Sequence, residues 1–440
     1  MRKARWILSL TLLIGLTCVV HAENWPNWRG PASSGVSPET GLPMTWSEKE
    51  NVAWKVQFRG LGVSSPIVWR DRVFVTSQAG KSAARPGPRL VQGADAAAAG
   101  EKPLTSATDA NNPTVFIVTA FDRVSGKKVW EYELPSEGRA PEVHEKHNLA
   151  SSSPVTDGER IYAWFGTGQL IALDFNGKLV WKKNLGMAYS PFDINWAHGS
   201  SPMVHKEHLI LLCYHDKASY LLSLDTKSGD VRWKVDQAPG VTSYSTPLVV
   251  DIPGASEVIV NSSVGMAGHD LASGKLLWQF DETNRFPIPM PLLHDGIVYT
   301  SRGYRSSPFM AIRPGGKGNI ASTNVLWRVP SGAPYISSLV HHNGLIYMVG
   351  DVGVLTVTDA KNGERVYQER IGGVYSASPV AADGKIYLLS EDGETIVLAA
   401  GRTPKILSRN KLDARQLASP AISGGRLFVR SDGYLYAIGK

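Results

Sequence analysis

The sequence predicts an all-β protein: an eight-bladed β-propeller of four-stranded antiparallel blades, closed by an N-terminal strand that completes the last blade. Three observations favour this fold. A Ser/Pro motif recurs eight times, each repeat contains short alternating segments separated by turns, and the last repeat lacks a strand that an N-terminal segment could supply. Repeats of about 40–50 residues indicate a repeat architecture, and four strands per repeat are typical of propeller blades.

The eight motifs mark the start of the innermost strand of each blade. The first interval is 88 residues long because it contains a low-complexity insertion, and the later intervals are 40 to 48 residues. In order, the motifs are Ser64-Ser65-Pro66, Ser152-Ser153-Pro154, Ser200-Ser201-Pro202, Ser245-Thr246-Pro247, Met290-Pro291, Ser337-Ser338-Leu339, Ala377-Ser378-Pro379 and Ala418-Ser419-Pro420.

The second repeat shows the strand pattern most clearly. Residues 160–165 and 169–174 are alternating segments rich in β-branched and aromatic residues, and a third segment after Asn176-Gly177 ends at Trp181. Asx-Gly pairs adopt the positive φ that two-residue hairpin turns require. With an innermost strand at the Ser/Pro motif, the repeat forms a four-stranded meander.

An aspartate, a glycine and an aromatic residue also recur in a fixed register. The glycine turns the third strand into the fourth, and the aromatic residue is expected to fill the wedge between neighbouring blades. We expect the aspartates to be structural turn residues rather than catalytic acids. The pairs are Asp122/Trp130, Asp174/Trp181, Asp225/Trp233, Asp270/Trp278 and Asp359/Tyr367. The fifth repeat departs from the pattern because Trp327 is displaced behind an insertion at Pro314-Gly315-Gly316.

The two ends of the chain predict a closed ring. The last repeat, residues 419–440, has three strands and no tryptophan strand, whereas residues 51–55 around Trp54 resemble a fourth strand. Pairing these segments would complete the eighth blade and leave no exposed sheet edge. We therefore expect Trp54 to lie beside the strand at residues 434–438.

The N-terminus is predicted to be a secretory signal. Three basic residues precede a short apolar run over residues 7–20, and Ala22 marks the expected cleavage region. We therefore predict residues 1–22 as a signal peptide and a periplasmic or secreted location, with a retained membrane anchor as the alternative. The residues before Cys18 fit a lipobox poorly, so lipidation is not expected.

Charge and cysteine content narrow the function classes. Without the signal segment the formal charge falls from +7 to +4. This mild, diffuse charge argues against nucleic-acid binding. Cys213 would be the one remaining cysteine, so no internal disulfide is expected, and its apolar strand predicts a small core residue rather than a nucleophile.

Two regions fall outside the predicted ring of residues 51–440. Residues 23–50 form an aromatic lead-in that we expect to pack across one face of the propeller. Residues 79–113 are rich in Ala, Gly, Pro and Ser and are expected to form a mobile loop.

The loop pattern predicts which face of the propeller carries function. In a meander blade, turns between the second and third strands share a face with the links between blades, and long segments gather there. We call this the irregular face, and the opposite one the tight-turn face. Residues ahead of each Ser/Pro motif should surround the channel mouth and bind a ligand or partner. The alternative is that they plug the channel and satisfy strand ends. The predicted site residues are His144, His147, Asn148, Asn195, Trp196, His198, Tyr244, Arg302, Tyr304, Arg305, Tyr335, Tyr375, Arg415 and Gln416.

No pattern indicates a catalytic centre or a metal site. His144, His147 and His198 could approach one another, but no spacing fixes a further ligand, and histidines more often cap backbone groups. No nucleophile, base and acid stand in a recognisable order, and there is no glycine-rich phosphate loop. We therefore predict no catalytic residues and no metal.

From about residue 51 to residue 440, the repeats resemble the pyrroloquinoline-quinone (PQQ)-type propeller repeat. The shared features are the Ser-Ser-Pro opening, Ala172-Leu173-Asp174, Gly177-Lys178 and Trp181. The lead-in residues 25–31 resemble those of bacterial exported proteins with this propeller. The resemblance implies either a quinone-dependent dehydrogenase or a non-catalytic member, such as the propeller of the outer-membrane β-barrel assembly machinery. The dehydrogenases are implied to need adjacent cysteines over the quinone and a Ca²⁺ site of carboxylate and amide oxygens, and neither can be carried over to this chain.

These features predict an exported, non-catalytic binding or scaffold protein of the cell envelope. We expect an envelope protein or peptide as its partner, no cofactor, a monomeric state and no binding to nucleic acid, with peripheral association with the outer membrane left open. One alternative is a periplasmic oxidoreductase that depends on PQQ with Ca²⁺ or on another metal. The other is a propeller that binds a carbohydrate or another small ligand at its aromatic mouth.

Overall fold

The computed structural model describes residues 24–80, 113–141, 143–144, 146–304 and 308–440. The predicted signal peptide, most of the predicted insertion and Arg305 lie outside these residues. Within these ranges the one helix is α1 (Leu185–Ala188), and no helix is long and apolar enough to cross a membrane.

Eight sheets surround a central channel, which confirms the predicted all-β, eight-bladed fold. From the channel outward, blade 1 consists of β2 (Ile67–Trp69), β3 (Arg72–Ala79), β4 (Val115–Asp122) and β5 (Lys128–Pro135). Blade 2 consists of β6 (Val155–Thr156), β7 (Arg160–Trp164), β8 (Gln169–Asp174) and β9 (Leu179–Asn184). Blade 3 consists of β10 (Met203–His205), β11 (His208–Tyr214), β12 (Ser219–Asp225) and β13 (Val231–Gln237). Blade 4 consists of β14 (Leu248–Ile252), β15 (Ala255–Asn261), β16 (Gly265–Asp270) and β17 (Leu276–Asp281).

The second half of the ring repeats this order. Blade 5 consists of β18 (Leu292–His294), β19 (Ile297–Ser301), β20 (Phe309–Ile312) and β22 (Val325–Val329). Blade 6 consists of β23 (Val340–His342), β24 (Leu345–Val349), β25 (Val354–Asp359) and β26 (Arg365–Arg370). Blade 7 consists of β27 (Val380–Ala382), β28 (Lys385–Leu389), β29 (Glu394–Ala399) and β30 (Ile406–Lys411). Blade 8 consists of β31 (Ala421–Ser423), β32 (Arg426–Arg430), β33 (Tyr434–Ile438) and β1 (Val52–Gln57).

The closure of the ring is confirmed. Strand β1 pairs antiparallel with β33, and its Trp54 lies opposite Ala437. The first strand of the propeller therefore completes the last blade, so the ring has no open end.

The insertion in the fifth repeat adds an edge strand to blade 4. Its strand β21 (Gly318–Asn319) runs parallel to β17. The buried Glu257 carboxylate accepts hydrogen bonds from the Trp278 indole N–H at 2.8 Å and from the Gly315 amide at 3.2 Å. The Trp278 indole N–H is therefore bonded within its own blade.

Near the channel, the second-last residue of each Ser/Pro motif takes part in a hydrogen bond between neighbouring blades. The Ser65 backbone N–H donates to Ser153 Oγ, and the Ser153 N–H donates to Ser201 Oγ, both at 2.9 Å. These groups are buried, so each bond satisfies a donor that water cannot reach. The same 2.9 Å bond joins the pairs Ser201/Thr246, Met290/Ser338, Ser338/Ser378 and Ser378/Ser419.

At the periphery, a tryptophan packs on the glycine turn of the next blade. The Trp130 indole N–H donates at 2.9 Å to the carbonyl of Phe175, the residue after Asp174. Gly177 approaches the indole so closely that a Cβ there would lie 2.7 Å from it. Asp174 Oδ1 holds the turn by accepting from the amides of Asn176 and Lys178, which confirms its structural role. The same contacts recur for Trp54/Gly126, Trp181/Gly229, Trp233/Gly274 and Trp327/Gly363.

The lead-in passes through the tight-turn end of the channel and then along the outside of blades 7 and 8. Trp25 forms a bridge with Val68 of blade 1, and Ser47 forms one with Lys411 of blade 7. Between them, the Arg29 guanidinium is 1% exposed and donates to the carbonyls of Pro379 and Leu339 at 2.8 and 2.7 Å. Burial lowers the pKa of Arg29 to about 9, which still leaves it charged at neutral pH. The channel is therefore filled at its tight-turn end.

Comparing Gly126→Ala with Gly296→Ala tests the tryptophan contact across the closure. Both glycines have positive φ, 71° and 73°, so each alanine loses about 1 kcal/mol to backbone strain. A Cβ at position 126 also meets the Trp54 ring at 2.6 Å, whereas nothing lies within 4 Å of one at position 296. We expect Gly126→Ala to lower the free energy of unfolding by about 1–3 kcal/mol more than Gly296→Ala in denaturant titrations. Equal losses would contradict this role of the contact.

Replacing Ser153 tests the hydrogen bonds around the channel. Ser153→Ala leaves the buried Ser65 N–H without its acceptor and should cost about 1–3 kcal/mol of unfolding free energy. Ser153→Thr keeps the hydroxyl and should lose much less, since Thr246 fills the equivalent place in blade 4. Thermal or denaturant unfolding of the two variants measures this, and an equally large loss in both would rule out the hydroxyl as the cause.

Candidate functional site

The channel opens at the irregular face into a cavity of about 250 Å³. Trp28 of the lead-in contributes to its lining, and its indole N–H donates to Ser419 Oγ at 3.2 Å. Among the predicted site residues, those that line the cavity are His144, His147, Trp196, Tyr244 and Tyr335.

One position of the repeat contributes to the cavity lining in all eight blades. It is the residue three before the last residue of each Ser/Pro motif, and we call it the cavity position. Because side chains alternate along an extended segment, this position and the second-last residue of each motif lie on the channel side. The cavity positions are Val63, Ser151, Gly199, Tyr244, Ile288, Ile336, Ser376 and Leu417.

A chain of aromatic rings, which we call the aromatic arc, borders the mouth on the side of blades 3 to 5. The ring centroid of Phe286 lies 4.8 Å from that of Trp196, 6.2 Å from that of Tyr244 and 4.9 Å from that of Tyr304. Tyr304 in turn lies 5.2 Å from Tyr335. The arc brings four of the predicted site residues into one surface, and Phe286 at its centre was missed.

Trp196 is held in the arc by an uncommon backbone conformation. Trp196 and Ala197 have φ of 68° and 70°, a region that costs a non-glycine residue about 1–2 kcal/mol. The Tyr244 hydroxyl donates to the Asn195 carbonyl at 2.7 Å and fixes this turn from the next blade. The Trp196 side chain is nevertheless 41% exposed. The local structure thus maintains an exposed indole at the mouth.

The link between blades 1 and 2 crosses the mouth and is attached to blade 7. Lys146 Nζ lies 2.8 Å from Glu391 Oε1, and the Ser376 hydroxyl donates to the same oxygen at 2.6 Å. The Lys146 and Glu391 side chains are 9% and 3% exposed, so this is a buried ion pair. Breaking such a pair leaves an uncompensated buried charge, which is why it holds the link in place.

The three histidines considered as metal ligands make other contacts. His147 Nδ1 lies 2.9 Å from the Asn148 carbonyl and 3.1 Å from Ser151 Oγ, and burial lowers its pKa to about 4. The His198 ring lies against Trp164 at a tilt of 56°, with 4.0 Å between centroids, and burial lowers the pKa of His198 to about 3. The edge of His144 faces Trp196, and burial lowers its pKa as well. In the described ranges no three His, Cys, Asp or Glu side chains group in a way that could hold a metal.

The other predicted site residues lie away from the cavity surface. Arg302 is 0% exposed and donates to the carbonyls of Ser262 and Gly265, while Asn148 is buried and donates to the Leu61 carbonyl. Asn195 is exposed, and Arg415 is half-buried with its carbonyl accepting from the Asp432 amide. The fully buried Tyr375 and Gln416, like His198, are four residues before their motif's end and face into the blades. Strand alternation separates these three from the cavity positions. Tyr335 is the exception, because it is also four residues before its motif's end but lines the cavity.

Sequence reasoning also missed the charged residues at the mouth. Asp351, Glu391 and Asp432 follow the second strands of blades 6, 7 and 8, so they occupy one repeated turn on the irregular face. Burial raises the pKa of Asp351 to about 6 and also raises that of Asp432. The recurrence of an acid at this turn is a signal in the sequence that could have identified them.

The residues around the cavity do not fit a quinone with its calcium ion. Among the described residues Cys213 is the one cysteine, and it is 0% exposed in β11, so no adjacent cysteine pair faces the cavity. Trp28 and Arg29 fill the channel beneath, and the buried Glu391 carboxylate is already bonded to Lys146 and Ser376. No oxygen donors are therefore grouped for Ca²⁺ in this part of the chain.

Comparison with known proteins finds one matching family model and several distant relatives. A family model described as outer membrane protein assembly factor BamB matches residues 116–305. Tetrathionate hydrolase from Acidithiobacillus ferrooxidans is 24% identical over 297 residues, which cover 62% of this chain and 53% of that protein. This chain therefore spans about half the length of that relative. BamB from Moranella endobia is 24% identical over 332 residues, which cover 71% of this chain and 79% of that protein.

Solved structures share the fold. BamB from Moraxella catarrhalis superposes with a TM-score of 0.59 over 88% of this chain and 99% of that one, at 13% identity. Quinohemoprotein alcohol dehydrogenase from Comamonas testosteroni gives a TM-score of 0.66 over 95% of this chain and 81% of that one, also at 13% identity. At such identity a shared fold does not convey a shared activity. From its closed ring and these matches, the chain is an eight-bladed β-propeller that is similar to outer membrane protein assembly factor BamB.

Proposed function

We propose that this chain is an exported, non-catalytic propeller that binds a protein or peptide partner of the cell envelope over the mouth on its irregular face. The observation that carries the proposal is Trp196, an indole that a strained turn keeps 41% exposed beside an apolar-lined cavity. Strained backbone persists where the surrounding structure enforces it, and it concentrates at functional sites. Exposed tryptophan and tyrosine anchors are also the residues that dominate binding energy at protein interfaces.

The similarity to BamB supports an envelope partner. The matched family and one of the aligned relatives are described as outer membrane protein assembly factors. The predicted signal peptide over residues 1–22 supports export, and a periplasmic position would bring the irregular face to envelope proteins. We extend the proposal to a monomer, because pairing of β1 with β33 completes the eighth blade and leaves no partial blade that a second copy would have to complete.

We assign the charged half of the mouth a structural role. The Lys146–Glu391 pair and the Ser376 hydroxyl satisfy one another, and they fasten the blade 1–2 link rather than face an open reaction site. The histidines beside them are neutral at pH 7 because burial lowers their pKa. These groups therefore carry no set of nucleophile, base and acid.

An enzyme is the second candidate: the similarity to tetrathionate hydrolase favours it, and a quinone-dependent oxidoreductase is the form that the repeat resemblance implies. Purified protein supplied with PQQ and Ca²⁺ tests it through quinone absorbance and dye reduction, and incubation with tetrathionate tests the hydrolase. We expect no turnover. Turnover abolished by Trp196→Ala would replace our proposal.

Truncation of the exposed indole tests partner binding. Trp196→Ala should reduce the capture of envelope proteins by the immobilised protein about 30-fold, which corresponds to the roughly 2 kcal/mol lost at an interface hot spot. Quantitative mass spectrometry of proteins captured from a solubilised envelope fraction measures the change.

The matched control is Val124→Ala. Val124 is 62% exposed in a hairpin on the tight-turn face, so its truncation also removes exposed apolar surface but far from the mouth. We expect unchanged capture with Val124→Ala and unchanged thermal unfolding in both variants. Full capture with Trp196→Ala, or equal losses in both variants, would refute the proposed surface.

The structural role of the charged cluster predicts a pH-dependent gain in stability for Asp351→Asn. Burial raises the pKa of Asp351 to about 6, so ionising this carboxyl destabilises the folded protein as the pH rises from about 4 to above 6. The variant should therefore be more stable than the parent by about 1–3 kcal/mol at pH 7.5 and nearly equal to it at pH 4. Denaturant unfolding at both pH values measures this, and a loss of stability at pH 7.5 would contradict it.

A further inference from the structure

The cavity behind the aromatic arc presents a mostly apolar wall. Its eight cavity positions include no ionisable group other than the Tyr244 phenol, and four of them are aliphatic: Val63, Ile288, Ile336 and Leu417. The cation among the lining residues is Lys146, which pairs with Glu391 at 2.8 Å. Among the described lining residues, a charged ligand group would therefore find no counter-charge outside this ion pair, and it would lose its hydration.

The polar atoms of the wall are largely engaged within the protein. Ser153, Ser201 and Ser378 accept the inter-blade amide bonds, and Ser419 accepts from both Ser378 and Trp28. The Ser151 and Ser376 hydroxyls donate to Asn148 and Glu391. A sugar needs several hydrogen-bond partners for its hydroxyls, and this wall offers few that are not already bonded. The lining therefore favours an apolar group.

The volume of the cavity limits the size of the ligand group that can enter it. A buried apolar cavity of about 150 Å³ is enough to bind benzene, whereas drug-sized ligands occupy pockets of about 300–1,000 Å³. At about 250 Å³, this cavity has room for one phenyl or indole ring but is small for a larger molecule. The aromatic arc lies directly at its rim, where it could cover the rest of a polypeptide that supplies such a ring.

We propose that the cavity receives one aromatic side chain, phenylalanine or tryptophan, from the partner polypeptide, while the adjoining segment of the partner lies on the aromatic arc. This inference rests on the proposed function. It states in addition that recognition depends on a single aromatic anchor inserted between Trp28 and the rings of Trp196, Phe286 and Tyr335. Burial of a ring of this size is typical of the residues that dominate an interface.

Small model ligands test the chemistry of the cavity directly. The probes are N-acetyl-phenylalaninamide, N-acetyl-lysinamide and methyl glucoside, each titrated against the full protein by ligand-observed NMR. We expect the phenylalanine amide to bind at least about tenfold more tightly than the other two, a difference of about 1.4 kcal/mol. Equal or tighter binding of the lysine amide or the glucoside would overturn the inference.

Substitutions that fill the cavity test whether the phenylalanine amide binds inside it. Val63→Phe and Leu417→Phe each place a ring in the cavity from equivalent positions of blades 1 and 8, both of which are half-buried and therefore tolerant of added volume. Each variant should weaken binding of the phenylalanine amide at least about tenfold. Val366→Phe is the matched control, because Val366 is a half-buried valine on the outer strand of blade 6. Unchanged binding to both filled variants would overturn the inference, and either one that retains cooperative unfolding suffices for the test.

The same variants separate this inference from the proposed function. If Trp196→Ala reduces partner capture but Val63→Phe and Leu417→Phe do not, the partner uses the arc without an anchor and the inference is wrong, while the proposed function stands. If none of the three reduces capture, the proposed function itself fails. A reduction in all three supports both.

Discussion

The pairing of β1 with β33 is the constraint on which the rest of the structure depends. Each blade buries its faces only against its two neighbours, so an open array would expose the flank of blade 1 and that of blade 8. The pairing removes both exposed flanks and places Trp54 on the glycine turn of blade 1. It also dictates the path of the lead-in, because the segment before β1 has to reach the outer edge of blade 8. That path leaves Trp28 and Arg29 inside the channel and makes the mouth a cavity with one open end.

The contacts between blades differ near the channel axis and at the periphery because the gap between neighbouring sheets widens outward. Near the channel, inner strands approach closely enough for one backbone amide to reach the hydroxyl of the next blade. Farther out the sheets splay apart, and a small side chain could not span the gap. There an indole fills the space and donates to a turn carbonyl. The Ser/Pro motif therefore joins blades near the channel, and the Asp-Gly-Trp motif joins them at the periphery. Both motifs recur once per blade because every pair of neighbouring blades has to be joined at both distances.

Most of the fold could be predicted from the sequence because local patterns encode it. The Ser/Pro motif, the Asp-Gly-Trp register and the incomplete last repeat each correspond to contacts within a blade or between adjacent blades. The site was harder to predict. Tyr244 could be placed at the mouth because it occupies the cavity position, whereas His198, Tyr375 and Gln416 are one residue out of phase and are buried. Tyr335 has the same spacing as those three residues and nevertheless lines the cavity, so spacing alone does not determine which side chains reach it. The Lys146–Glu391 pair joins residues 245 positions apart on blades that are not neighbours, and no local pattern indicates such a contact.

Each repeat has some residues that join blades and others that line the cavity, which explains how one fold can occur in both scaffolds and enzymes. The hydroxyl residue of the motif, the turn aspartate, the glycine and the tryptophan are all committed to joining blades, so they carry no information about function. What varies freely is the cavity position and the link that precedes it. In this chain five of the eight cavity positions hold aliphatic or aromatic side chains, and the one lysine of the lining is paired with Glu391, so the surface is suited to apolar contact. The superposition on a dehydrogenase at 13% identity reflects a shared arrangement of blades, which does not convey a shared activity.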